Sequence, residues 1–270
     1  MAKLELAFFD LGTLDTLAYS DSPVHRLDPR VKVVVVLTFI LTVASYGRYE
    51  VTSMLPLALF PWLLISLGRL PLGYLARKVL LVAPFALFIG IFNPLLDQTP
   101  YLSIGDLEIS GGWLSFASIL LRFVLTVSSA LILIATTSFP GVCRALERLG
   151  APRVFAVQLL FLYRYLFVLV EEGARMVRAR KLRSQPGRGE GFRSLIPLLG
   201  QLLLRTLARA QRIHQAMLCR AFDGEFRSTH REHFGRQETL FLCGWCGFFL
   251  LARLYPLPQL FGKLFLELIP

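Results

Sequence analysis

Charge is what this 270-residue sequence has least of. Asp, Glu, Lys and Arg make up 17% of it, against roughly 25% in an ordinary soluble domain. With 55% hydrophobic residues and a mean hydropathy of +0.59, this excludes an average soluble globular protein. Acidic residues are scarcer still, 18 against 29 Lys and Arg, which leaves a net charge of +11. A basic chain seeks nucleic acid or an anionic membrane face. Apolar runs near bilayer length put these basic residues on a membrane protein, with no nucleic-acid partner. Four cysteines are too few for a disulfide framework, which excludes a stapled secreted domain. The first 21 residues are interrupted by Glu5, Asp10 and Asp15 and form no apolar signal-peptide core, so the spans themselves are expected to direct insertion. No Gly is followed at P-loop spacing by Gly-Lys-Ser or Gly-Lys-Thr, so ATP is expected to be bound elsewhere. No nucleophile, base and orienting group can be assembled from the motifs present, so the chain is not expected to be an enzyme.

What is present is a series of apolar segments. Five read as transmembrane helices: 31 to 46, 54 to 68, 79 to 92 with its flanks, 113 to 138, and 239 to 255. A sixth apolar run, 153 to 170, carries Gln158 and Arg164 in its interior, and a charge there costs about 2.5 to 3.5 kcal/mol on insertion scales.

Loop charges orient the spans. Arg26, Arg30 and Lys32 precede the first, and Arg69, Arg77 and Lys78 separate the second from the third, so both flanks read as cytoplasmic. Residues 93 to 112 contain Asp97, Asp106 and Glu108 without Lys or Arg, as suits an outside loop. The fourth span then returns the chain inside at Arg144, Arg148 and Arg153. If 153 to 170 crossed next, the most basic stretch would lie outside. That stretch, 171 to 236, has fourteen basic and six acidic residues, +8 of the net +11. The run is therefore expected to pack along the bundle without a full crossing, which gives five spans with the N-terminus in and the C-terminus out.

The cytoplasmic stretch reads as a helical hairpin. From 153 to about 184 the one breaker is Gly173, and the sequence Gln185 to Gly191 then supplies a Pro and Gly stop. A second helix is expected over about 192 to 222, with Leu195, Leu199, Leu202, Leu203, Thr206, Ala210, Ile213 and Met217 at three- and four-residue spacing. Asp223 and Gly224 would end it. So long a pair is no connector; its arginines form either a face for anionic lipid headgroups or a docking platform for a soluble partner.

Four stretches carry a family likeness: HRLDPRVKVV (His25 to Val34), ALERLGAPR (Ala145 to Arg153), LLFLYRYLFVLVEE (Leu159 to Glu172) running into RARKLRS (Arg178 to Ser184), and QAMLCRAFDG (Gln215 to Gly224). Through them the chain resembles the transmembrane T component of energy-coupling factor transporters, of the cobalt transport protein CbiQ type. The resemblance implies an all-α integral membrane protein with about five transmembrane helices and two long cytoplasmic coupling helices. On it the chain divides into an interfacial segment (1 to 30), helices one to four (31 to 138), a coupling region (139 to 238), and a last helix with its tail (239 to 270).

The resemblance also implies two Arg-centred motifs that insert into two ATP-binding subunits. By position these are Leu182, Arg183 and Ser184, and Cys219, Arg220 and Ala221. The family form is Ala-Arg-Gly or Ala-Arg-Ser, so the flanks depart while the central Arg is kept. ATP-driven movement would pass through the helices to a substrate-binding membrane subunit, CbiM-like and with or without a small CbiN-like subunit. The implied setting is a cell inner membrane and a cobalt supply for cobalamin biosynthesis; nickel or a vitamin-binding subunit are the alternatives within transport, and an anionic-lipid-binding scaffold the alternative outside it.

The remaining polar features have plain readings. Asp28 and Pro29 suit a helix start, Asp as cap and Pro near N1; with Arg30 they would also orient the first span, on the family resemblance. Arg122 and Arg164 sit at membrane depth, where a charge is either functional or paired within the bundle. Cys243 and Cys246 form a CxxC inside an apolar span, read as small residues packing a membrane helix. His230 and His233, with Glu232 between them, read as a solvated loop, and His25 and His214 carry no role. Neither a metal site nor a cofactor is expected.

Overall fold

Apolar runs of bilayer length can satisfy their backbone groups internally only as helices, and helices are what the runs form. The computed structural model describes residues 16–96, 100–104, 107–183, 195–224 and 235–255, leaving aside the side chains of 95, 96, 100–104 and 107–110. Helix α1 spans Pro29–Ser45. Helix α2, Val51–Gly68, includes a 3-10 turn at Leu55–Ala58. Helix α3 spans Leu72–Gly90 and the short α4 Phe92–Leu96. Strands β1 (Pro100–Ile104) and β2 (Leu107–Ser110) form one antiparallel hairpin, with Ile104 opposite Leu107 and Ser103 opposite Glu108. Helices α5 (Gly111–Thr137), α6 (Phe139–Arg148), α7 (Arg153–Arg183), α8 (Leu195–Cys219) and α9 (Arg236–Leu254) complete the described chain. The protein is an all-α membrane protein, the hairpin being a small insertion between two spans.

Each of the five expected spans is helical. Length and apolarity alone mark Val51–Gly68, Leu72–Pro94, Gly111–Thr137 and Arg153–Arg183 as able to cross a membrane. Pro29–Ser45 has 17 residues, short of the ~20 that a core of about 30 Å asks of a helix. Arg236–Leu254 carries Arg236, Glu238 and Arg253 near its ends.

The chain forms two units, residues 1–145 with 232–270, and residues 146–231. In the first, α5 is the central helix and packs against α1, α2 and α3, while α9 lies against α1. Aromatic side chains from three helices meet at the core. Phe39 of α1 lies 4.7 Å from Phe60 of α2 and 5.3 Å from Phe249 of α9, ring centroid to centroid, and Trp245 stands edge-on to Phe60 at 4.7 Å. Phe39, Phe60 and Phe249 are fully buried. Such offset and edge contacts stabilise by about 0.5–1.5 kcal/mol per pair beyond burial. Where α3 meets α5 the residue has to be small: a Cβ on Gly90 would stand 2.8 Å from the Phe116 ring.

The second unit is built on α7 and α8, which pack against each other. Helix α7 runs unbroken for 31 residues, so Gly173 does not interrupt it. Helix α8 stops at Cys219, before the residue 222 that its sequence pattern predicts.

Candidate functional site

The ends of α7 and α8 hold the two Arg-centred motifs. Arg183 is the last residue of α7, and Leu182 beside it is 88% exposed; Ser184 lies outside the described residues. An apolar side chain so exposed at a helix end is an unfilled contact. Helix α8 ends in a tight hydrogen-bonded reversal. The Ala221 N–H donates to the Leu218 carbonyl at 3.0 Å and the Phe222 N–H to the Met217 carbonyl at 3.0 Å, the two bonds of a Schellman motif. The residue at the turn of that motif must take a left-handed backbone, and Ala221 does so at φ +52°. Glycine normally occupies such a position because a Cβ there is strained. Cys219, Arg220 and Ala221 are all exposed. Both arginines therefore stand at helix C-termini, where the macrodipole favours a cation and the guanidinium fork is free to reach a carboxylate or carbonyl-lined pocket.

Between these ends the two helices are tied by one acid. Glu172 of α7 receives Arg175 at 2.9 Å from its own helix and Arg205 at 2.8 Å from α8, with Arg209 of α8 at 3.5 Å. Its side chain is only 13% exposed. The sequence does hold a signal for this tie, an acidic pair directly after an apolar run with Arg three residues on, but the cross-helix partners are invisible to it. On the α8 C-terminal side the helices border a groove of about 750 Å³, lined by Phe161, Tyr165, Leu169, Ile213, Met217 and Phe222 among others. No described residue of α8 is buried, and Leu195, Leu199, Leu203 and Leu207 are exposed. So continuous an apolar face is a partner or lipid surface.

In the first unit, the polar residues that open α1 are only partly satisfied, Asp28 Oδ2 and Arg30 Nε being buried without a hydrogen-bond partner. Asp28 caps the helix, its Oδ1 accepting the Arg30 N–H at 2.8 Å, with Pro29 at the first position. The Arg30 Nε stands 4.0 Å from that same oxygen. Lys32 is 4% exposed and donates to the Thr136 carbonyl at 2.8 Å. His25, which the sequence leaves without a role, bridges the Ser22 hydroxyl at Nδ1 (2.7 Å) and the Leu17 and Ala135 carbonyls at Nε2 (3.1 and 3.3 Å). Nε2 must carry the proton to serve two carbonyls, so Nδ1 accepts from serine. Burial holds this imidazole below the ordinary histidine pKa, against the opposing pull of the Ala135 carbonyl. Lys32 and His25 thus engage the carbonyls at the end of α5, whose negative dipole end favours donors.

The other singled-out residues have assigned places. Arg122 donates to the backbone carbonyl of Tyr46 at 3.0 Å, a structural tie between α5 and the end of α1. Arg164 is exposed on α7. Cys243 and Cys246 are free thiols on α9. His230 and His233 lie outside the described residues, and among the described residues no cluster of three His, Cys, Asp or Glu side chains is placed to hold a metal.

Comparison with known proteins gives the architecture a family. The chain is 27% identical over 255 residues to the energy-coupling factor transporter transmembrane protein EcfT of Bacillus selenitireducens, covering 87% of this chain and 93% of that protein. It is 27% identical over 236 residues to the cobalt transport protein CbiQ of Salmonella typhimurium, covering 79% and 98%. It is 29% identical over 235 residues to EcfT of Heliobacterium modesticaldum, covering 78% and 84%. The family model of the cobalt transport protein, CbiQ, matches residues 20–231, a range holding both Arg motifs, the Glu172 tie and the capped start of α1, and the chain belongs to this family as a transmembrane component of an energy-coupling factor transporter.

Proposed function

We propose that this chain is the non-catalytic transducer of an ATP-driven cobalt uptake transporter. It passes movement from two ATP-binding subunits to a CbiM-like substrate-binding membrane subunit, with or without a small CbiN-like one. Arg183 and Arg220 are the ATPase anchors, flanked by Leu182 and Ser184 and by Cys219 and Ala221. The observation that supports this reading is their placement: Arg183 ends one helix of a packed pair and Arg220 directly follows the other, and both are exposed. Asp28, Pro29 and Arg30 set the first span, and the apolar face of α8 receives the substrate-binding subunit.

The topology proposed with it has five spans, the N-terminus and residues 171 to 236 in the cytoplasm, and the C-terminus outside. Helix α7 is long and apolar enough to cross, but crossing would place the +8 stretch outside, against the positive-inside rule. On this reading residues 153 to 170 make no full crossing. The cell inner membrane is the setting, cobalamin biosynthesis the use. A second reading keeps the scaffold and replaces the cargo with nickel or a vitamin; relatives whose name specifies no cargo match at the same identity as the one named for cobalt.

The test is the double substitution Arg183→Glu and Arg220→Glu in the co-expressed complex. Loss of ATPase co-purification is expected, since a buried guanidinium anchor contributes about 2–5 kcal/mol or more to such an interface. Unchanged co-purification together with weakened binding to anionic liposomes would instead identify a lipid-binding scaffold.

A further inference from the structure

We propose that Glu172 is the pin that makes the α7–α8 pair a single lever, and that without it ATP hydrolysis runs uncoupled from transport. This rests on the coupling reading above and goes beyond the anchors themselves. The pin lies between the two anchors. Arg183 is eleven residues beyond Glu172 on α7 and Arg220 fifteen beyond Arg205 on α8, roughly 16 Å and 22 Å of helix at about 1.5 Å per residue. Because Glu172 meets Arg205 in an antiparallel pair, these arms extend to opposite sides of the crossing.

Packing along that crossing is uneven. On the Arg220 side the helices border the 750 Å³ groove. Near the pin, Gly173 contributes no side chain, and the closest Leu202 atom stands 3.9 Å from where a Cβ would be. Charge adds a specific tie. One carboxylate, at 13% exposure, holds three guanidiniums, two of them from the other helix. The carboxylate is largely covered, while Arg175 and Arg205 are more than half exposed, so salt weakens the cluster in part. Removing the single negative charge turns three attractions into mutual repulsion among Arg175, Arg205 and Arg209, so the same side chains that close the crossing would then open it. Glu172 touches no substrate and no ATP; it is a positioning residue.

The test uses the full-length chain in lipid nanodiscs, with spin labels at Ala179→Cys and Gln215→Cys in a background lacking the native cysteines. Glu172→Gln is expected to broaden the distance distribution between the labels at least about twofold. The swap Glu172→Arg with Arg205→Glu, which again places one carboxylate among three guanidiniums, is expected to narrow it. An unchanged width in Glu172→Gln overturns the proposal. So does a swap no narrower than Glu172→Arg alone, and that comparison decides the matter if Glu172→Gln is poorly produced. In the reconstituted complex supplied with cobalt(II), Glu172→Gln is expected to keep its ATPase subunits and its ATP hydrolysis within about twofold while cobalt(II) taken up per ATP falls about tenfold. Equal uptake per ATP overturns the transmission claim. A wild-type chain that captures no ATP-binding subunit refutes the coupling reading instead, and the label distances still decide the pin.

Discussion

Replacing Ala221 by glycine should tighten the end of α8. The native turn holds Ala221 at φ +52°, where a Cβ crowds the following carbonyl oxygen at a cost of roughly 1–2 kcal/mol. Glycine pays no such penalty but gives the unfolded chain more freedom, which returns about 0.4–1 kcal/mol to the other side. The net expectation is about 0.5–1 kcal/mol in favour of the Schellman turn, a two- to fivefold change in its local opening constant. Hydrogen exchange reads this directly, because the amides of Ala221 and Phe222 are the donors to Leu218 and Met217 at 3.0 Å each, and protection at such sites reports local opening. Exchange at the residue 222 amide should slow by that factor in Ala221→Gly. It should quicken in Ala221→Val, whose branched side chain fits the left-handed region worst. Equal exchange in all three proteins would show that the turn does not depend on the backbone at 221. The reasoning would then fail, and with it the account of why glycine suits the third position of this motif.

Further outcomes are expected elsewhere. Gly90→Ala sets a Cβ 2.8 Å from the Phe116 ring and should cost about 1–3 kcal/mol, read as a lowered unfolding midpoint in detergent; the double variant with Phe116→Leu should recover part of it. His25 is held below its ordinary pKa by burial, so its contribution is fully present above about pH 6.5. That contribution declines as pH falls from there toward the lowered folded value, because the unfolded state binds the proton first. Unfolding midpoints taken between pH 5 and 8 should show this loss in the wild type and a flatter profile in His25→Gln.

Much of the fold was legible in local pattern. Apolar runs and Pro29 behind Asp28 each act over a few residues, so the helices fall near where periodicity and capping put them; the expected stop at Gln185 to Gly191 lies outside the described residues. The end of α8 was not legible, because alanine is a good helix former and nothing in CRAFDG announces that Ala221 will turn left-handed. The Asp223 and Gly224 signal is real but lies past the actual stop. The two anchors could be named from resemblance to a family, yet their exposure at two helix ends is a property of the fold.

By itself the sequence determined the solvent. A chain with 17% charged residues, its positive excess gathered in 171 to 236 and apolar runs near bilayer length elsewhere, reads as a membrane protein, because a charge within the bilayer core is costly to insert. Only the tertiary structure decided which charges pair. Glu172 finds Arg205 33 residues away, Arg122 the Tyr46 carbonyl 76 away, and Lys32 the Thr136 carbonyl 104 away. Such pairs depend on where helices cross, and the crossing is set by the shapes of distant side chains such as Phe39, Phe60 and Phe249, which no local spacing encodes.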